Sequence, residues 1–81
     1  MAVRAYILIE AAVGGSNEVL TALRELSETI QADRVTGPYD LICVLELEDL
    51  NALGALVREK IHPIAGIKRT MSCIGIPSIG K

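Results

Sequence analysis

VTGPYDLICVLEL (Val35–Leu47) is a tight Gly37-Pro38 turn that runs through Tyr39 and Asp40 into a strand apolar on both faces, LICVLEL. The residues before the turn, QADRVT (Gln31–Thr36), are short and polar, as suits a strand on an exposed sheet edge. Two strand-like runs joined by Gly and Pro predict a hairpin in the middle of the chain. A turn has no need of a carboxylate at the mouth of a buried strand. Asp40 is therefore either turn punctuation or part of a site.

On the N-terminal side, VRAYILIE (Val3–Glu10) is rich in β-branched residues at a period near two and predicts a strand. Gly14-Gly15 ends it. Ser16 is a good helix N-cap, with Glu18 in the favoured first turn. Val19, Leu20, Leu23, Leu26 and Ile30 fall on one face of an amphipathic helix from about Asn17 to Thr29. On the C-terminal side, Asp49 can cap a second helix whose buried face is Leu50, Leu53, Leu56, Val57 and Ile61. Pro63 stops that helix, with Lys60 and His62 near its negative end. IKRTMSCIGI (Ile67–Ile76) is a last strand and PSIGK (Pro77–Lys81) a tail. The order β-α-β-β-α-β predicts an α+β, ferredoxin-like fold. Its four-stranded antiparallel sheet is ordered 4-1-3-2, with two helices on one face. The polar second strand then lies at an edge, and the most apolar strands, first and third, lie in the centre.

Two helices cover only one face of such a sheet. A sheet with one wet face should alternate apolar and polar residues, yet both faces here are apolar: Val3, Ala5, Ile7 and Ile9 against Tyr6 and Leu8, and Leu41, Cys43, Leu45 and Leu47 against Ile42 and Val44. Burying such side chains, at about 1.5–3 kcal/mol each, contributes on the order of 10 kcal/mol. The pattern thus predicts a homodimer packed sheet to sheet. Composition agrees. The chain has 81 residues, enough for a single domain (1–81), and 51% are apolar, with no Phe or Trp. A core that small is marginal alone, and the excess apolar surface asks for a second copy.

The chemistry-bearing residues exclude several classes. Net charge is −2 and the Lys and Arg are scattered, which gives no footprint for direct nucleic-acid binding. Cys43 and Cys73 are far apart with no CxxC, so neither a zinc site nor a disulfide scaffold is written here. The first strand would separate them in the sheet. The N-terminal apolar run is too short for a membrane span or a signal peptide, which points to a reduced, cytoplasmic setting. His62 is the only histidine, and no serine has a base nearby; nothing forms a catalytic pair, and no cofactor or metal is implied. Gly14-Gly15-Ser16 could hold an anion at a helix start, though a plain loop and cap explains it as well. Asp40 either accepts local backbone hydrogen bonds or, with open N–H groups nearby, holds the ammonium of a free amino acid whose carboxylate those groups receive.

Three stretches together resemble the effector-binding domain of the leucine-responsive/asparagine-responsive (Lrp/AsnC) regulators, known as RAM. They are the helix with Gly15, Leu20, Ala22 and Leu23, the V-T-G-x-Y-D turn at Val35–Asp40, and the G-I-x-x-T-x-S strand with Gly66, Ile67, Thr70 and Ser72. The resemblance covers essentially the whole chain. It implies a sheet-to-sheet dimer of the α/β-barrel type, a higher oligomer such as an octamer, and a small effector, typically an amino acid, bound between dimers. It also implies that Val35, Thr36, Gly37, Tyr39 and Asp40 line the effector cleft, with hydroxyls of Thr70 and Ser72 reaching in from a neighbouring subunit. Pro38 occupies a variable position of the motif and stiffens the loop. The helix-turn-helix domain of typical members is not in this sequence, so the expectation is a stand-alone, non-enzymatic RAM protein that modulates transcription or amino acid metabolism by associating with full-length Lrp/AsnC-type regulators. Three rival readings are a small dimeric α/β-barrel monooxygenase or isomerase, an ACT-like regulatory module, and an oligomerisation module that binds nothing. The enzymes need polar groups in a subunit cavity that Leu, Ile and Val here would fill, and the position of Gly37-Tyr39-Asp40 favours RAM over ACT.

Overall fold

Alternation along the central strands sorts their side chains between two faces, and a computed structural model of the chain, which describes residues 2–76, shows where each set goes. The strands are β1 (Val3–Ala11), β2 (Thr29–Arg34), β3 (Leu41–Leu47) and β4 (Ile67–Ile74); the helices are α1 (Ser16–Arg24) and α2 (Leu50–Leu56). The sheet runs β2-β3-β1-β4, with every neighbouring pair antiparallel. This is the ferredoxin-like βαββαβ arrangement that the hairpin and flanking helices predict, with the polar β2 at an edge.

Ala5, Ile7 and Ile9 of β1 and Leu41, Cys43 and Leu45 of β3 are fully buried against Val19 and Leu23 of α1 and Leu53 and Leu56 of α2. Cys43 sits in this layer beside the Thr29 hydroxyl (3.6 Å), and burial pushes its thiol pKa up. Cys73 lies opposite Tyr6, on the other face of the sheet and exposed, so β1 and the sheet itself separate the two thiols.

Several boundaries differ from the sequence expectation. Helix α1 stops at Arg24, not near Thr29, because the Thr29 hydroxyl donates to the Leu23 carbonyl (2.7 Å) and the Arg24 guanidinium donates to the Ala32 carbonyl (2.8 Å). Those bonds tie the helix end to β2, which starts at Thr29. Ile30 is consequently a strand residue at a register shift, 49% exposed, and not part of the helix face. Ser16 is the first helical residue; the capping position is Gly15 and no side chain caps the helix. Asp49 does cap α2, its Oδ1 accepting the Ala52 N–H (2.8 Å). Leu50 is 59% exposed and not in the core. Beyond Leu56 the helix widens into a π-helical turn, Val57–Ile61, and the extra residue puts Ile61 in the core while Lys60 stays outside. Strand β4 ends at Ile74, and the Pro77–Lys81 tail lies outside the described residues.

The face without helices has an ordered pattern. Arg4 faces Glu46 at one end and Glu10 faces Arg69 at the other, with ion-pair distances of 3.6 and 3.2 Å. Between them lie two cross-strand rows, Val44-Tyr6-Cys73 and Ile42-Leu8-Met71. An apolar centre with a charged rim is the anatomy of a protein interface.

Candidate functional site

The turn between β2 and β3 is built on Asp40. Its carbonyl accepts the Val35 N–H (2.9 Å), closing the loop, and its own N–H donates to Ile9 O (2.8 Å). The β1–β3 ladder ends at Ile9 and Leu41, and the Ala11 N–H, on the same edge of β1, lies just beyond it with no β3 backbone partner. The Asp40 carboxylate takes that place: Oδ2 accepts the Ala11 N–H at 2.8 Å. A carboxylate at the mouth of a buried strand thus has a structural use. Gly37, at φ 140°, holds a conformation that side chains avoid, so the tip of the turn requires glycine.

The same carboxylate lines a cleft. Val35, Thr36 and Asp40 form one wall, with Arg34 at the end of β2 and Ser16 at the N-terminus of α1, around about 520 Å³. Arg34 Nη1 donates to Asn17 Oδ1 (3.0 Å), which fixes the guanidinium against the helix start. The cleft therefore gathers a carboxylate, a guanidinium and the positive end of a helix. Oδ2 is committed to Ala11, and among the described residues Oδ1 makes no hydrogen bond.

Of the seven residues expected at a site, this cleft unites Val35, Thr36 and Asp40, while Gly37 shapes the loop above it. Tyr39 turns to the uncovered sheet face, where its hydroxyl donates to Met71 Sδ (3.9 Å) and Arg69 Cζ lies 5.8 Å from its ring centre. Thr70 and Ser72 are on the helix side of β4, pairing with Ile9 and Ile7, and belong to another place within the chain. Ser72 borders a second, mostly apolar groove of about 530 Å³ between α2 and β4. Thr70 Oγ1 lies 3.3 Å from His62 Nε2 at the end of that groove. The sequence offered Ser16 only as a cap or part of an anion-holding helix start, and did not point to Arg34 in the cleft or to Gly54, Arg58 and His62 in the groove. Ser16 had a competing explanation as a cap, and the groove exists only once α2 lies beside β4.

Among the described residues no three His, Cys, Asp or Glu side chains gather where a metal ion could sit, and no helix is long and apolar enough to cross a membrane.

Comparison with known proteins gives this geometry a context. The family model described as the Lrp/AsnC ligand binding domain matches residues 4–79. The HTH-type transcriptional regulator Ptr1 of Methanocaldococcus jannaschii is 38% identical over 50 residues, 62% of this chain and 34% of Ptr1. The match thus spans about a third of that regulator's length. The crystal structure of FFRP-DM1 shares 36% identity with a TM-score of 0.87, covering 91% of this chain and 99% of its own. The transcriptional regulator NMB0573 of Neisseria meningitidis, solved as a complex with L-Met, has the same fold at 17% identity, with a TM-score of 0.88 over 98% of this chain and 53% of its own.

Proposed function

The chain belongs to the Lrp/AsnC ligand-binding domain family, and we propose that it is a cytoplasmic sensor of a free amino acid. The observation that carries this reading is the cleft beside the turn. Asp40 offers a negative partner for an α-ammonium, while Arg34 and the N-terminus of α1 offer positive partners for an α-carboxylate. One small cleft thus complements both poles of a zwitterion. The L-Met bound to the Neisseria meningitidis regulator of the same fold supports an amino acid as effector. Thr70 and Ser72, which lie away from this cleft in their own chain, complete the site from a neighbouring subunit. The homodimer forms through the apolar centre of the uncovered sheet face, and dimers assemble further, into an octamer or similar ring. Among the described residues no acid–base pair lines the cleft, and the relatives that share this domain are transcriptional regulators, which favours binding as its role. With net charge −2 and no basic cluster to grip phosphates, the signal reaches DNA through full-length Lrp/AsnC-type regulators that co-assemble with this domain.

A thermal-shift screen against the twenty free amino acids tests the reading. A ligand at 100 times its dissociation constant adds about 2.7 kcal/mol, which for a domain of this size raises Tm by roughly 10 °C or more. One or a few amino acids should produce that shift, and Asp40→Asn should lose it. Asn keeps an acceptor for the Ala11 N–H but not the charge that holds an ammonium. A wild-type protein indifferent to all twenty would overturn the proposal.

A further inference from the structure

Gly54 stands near the middle of α2, where glycine is less favourable than alanine because it loses more conformational freedom on folding. Neither usual reason for a glycine applies. Its φ is not positive, and a Cβ built on it meets nothing within 4 Å. What it does border is the groove of about 530 Å³ between α2 and β4, a volume in the small-molecule range. Leu50 and Arg58 lie one helical turn before and after it on the same stripe. Leu53 and Val57 form the inner wall, and Ser72 stands across on β4.

We propose that Gly54 is a specificity-determining position, whose missing side chain leaves room for an extended aliphatic effector side chain in this groove. The inference rests on the amino-acid reading, which already brings Ser72 to the effector. The groove chemistry selects the occupant. Arg58 has its guanidinium 3.8 Å from the Glu59 carboxylate and His62 Nε2 lies 3.3 Å from Thr70 Oγ1, so both polar side chains have partners. The surface that remains is Leu50, Leu53 and Val57, which suits methylenes and not a second charge.

The test is calorimetric titration with glycine, alanine, 2-aminobutyrate, norvaline and norleucine on the wild-type protein, Gly54→Ala and Gly54→Leu. Wild-type affinity should rise roughly fourfold per methylene that enters the groove. Gly54→Ala should keep alanine binding and weaken norleucine by about tenfold, and Gly54→Leu should flatten the series. Both variants should keep or raise the wild-type Tm, since alanine and leucine favour a helix. Variants that reproduce the wild-type series, or a wild type that ignores side-chain length, overturn the role of Gly54 and leave the amino-acid reading standing. A wild type that binds none of the series and none of the twenty amino acids overturns both.

Discussion

Asp40 has two tasks with one carboxylate. Oδ2 accepts the Ala11 N–H just past the end of the β1–β3 ladder, and the group lines the cleft with Ser16 and Arg34. The two tasks separate by substitution. Removing a charged acceptor from a partly buried N–H costs about 1–3 kcal/mol. Asp40→Ala should therefore lower unfolding free energy in urea by that amount, while Asp40→Asn should lose less than half as much. Equal losses would mean that charge, and not the hydrogen bond to Ala11, holds the turn. The sequence made Asp40 conspicuous, because a lone carboxylate between a Gly-Pro turn and an apolar run has few bland explanations. It could not name Ala11 as its partner. That pairing depends on where the β1–β3 ladder runs out, at Ile9 and Leu41, and no residue there has an unusual type. Nor could it aim Tyr39, which neighbours Asp40 in sequence yet crosses to the opposite face to meet Met71.

At the level of elements, the strands were legible and the helix ends were not. Period two survives in β1 and β3 because one face must be fully dry: Ile7, Ile9, Leu41 and Leu45 are all at 0% exposure. Helix α1 ends early for a reason outside its own periodicity, namely the bonds from Thr29 and Arg24 that pull the chain into β2. The π turn was equally hidden, since Val57 and Ile61 are four residues apart and satisfy an α-helical reading as well. The two sheet faces give a chemical contrast. Cys43, buried with its thiol pKa raised, should resist iodoacetamide at pH 8 until the protein unfolds. Cys73 should react in dilute protein, and should become protected as concentration rises if the uncovered face pairs with a second copy. Mass spectrometry of each cysteine follows both. Cys73 reactivity that ignores concentration would count against the dimer.

For the whole molecule, the order of strands and the two-sided apolar character of β1 and β3 were readable from the residues alone. The site was only half readable. The V-T-G-x-Y-D turn and the Thr70 and Ser72 hydroxyls can be picked out along the chain, but in one copy Val35, Thr36 and Asp40 line a cleft beside α1 while Ser72 borders a separate groove against α2. A single chain cannot show what a second copy brings to its surface. In the proposed site the two halves meet across subunits, and a mixing experiment tests that arrangement. Asp40→Asn lacks the turn half of the site and a Thr70→Val/Ser72→Ala double variant lacks the strand half. Each, alone and folded, should give no heat with the effector found in the thermal screen. Mixed and allowed to exchange subunits, they should regain binding at a fraction of sites, where an intact turn faces intact hydroxyls. A mixture as silent as its components would contradict a site shared between subunits.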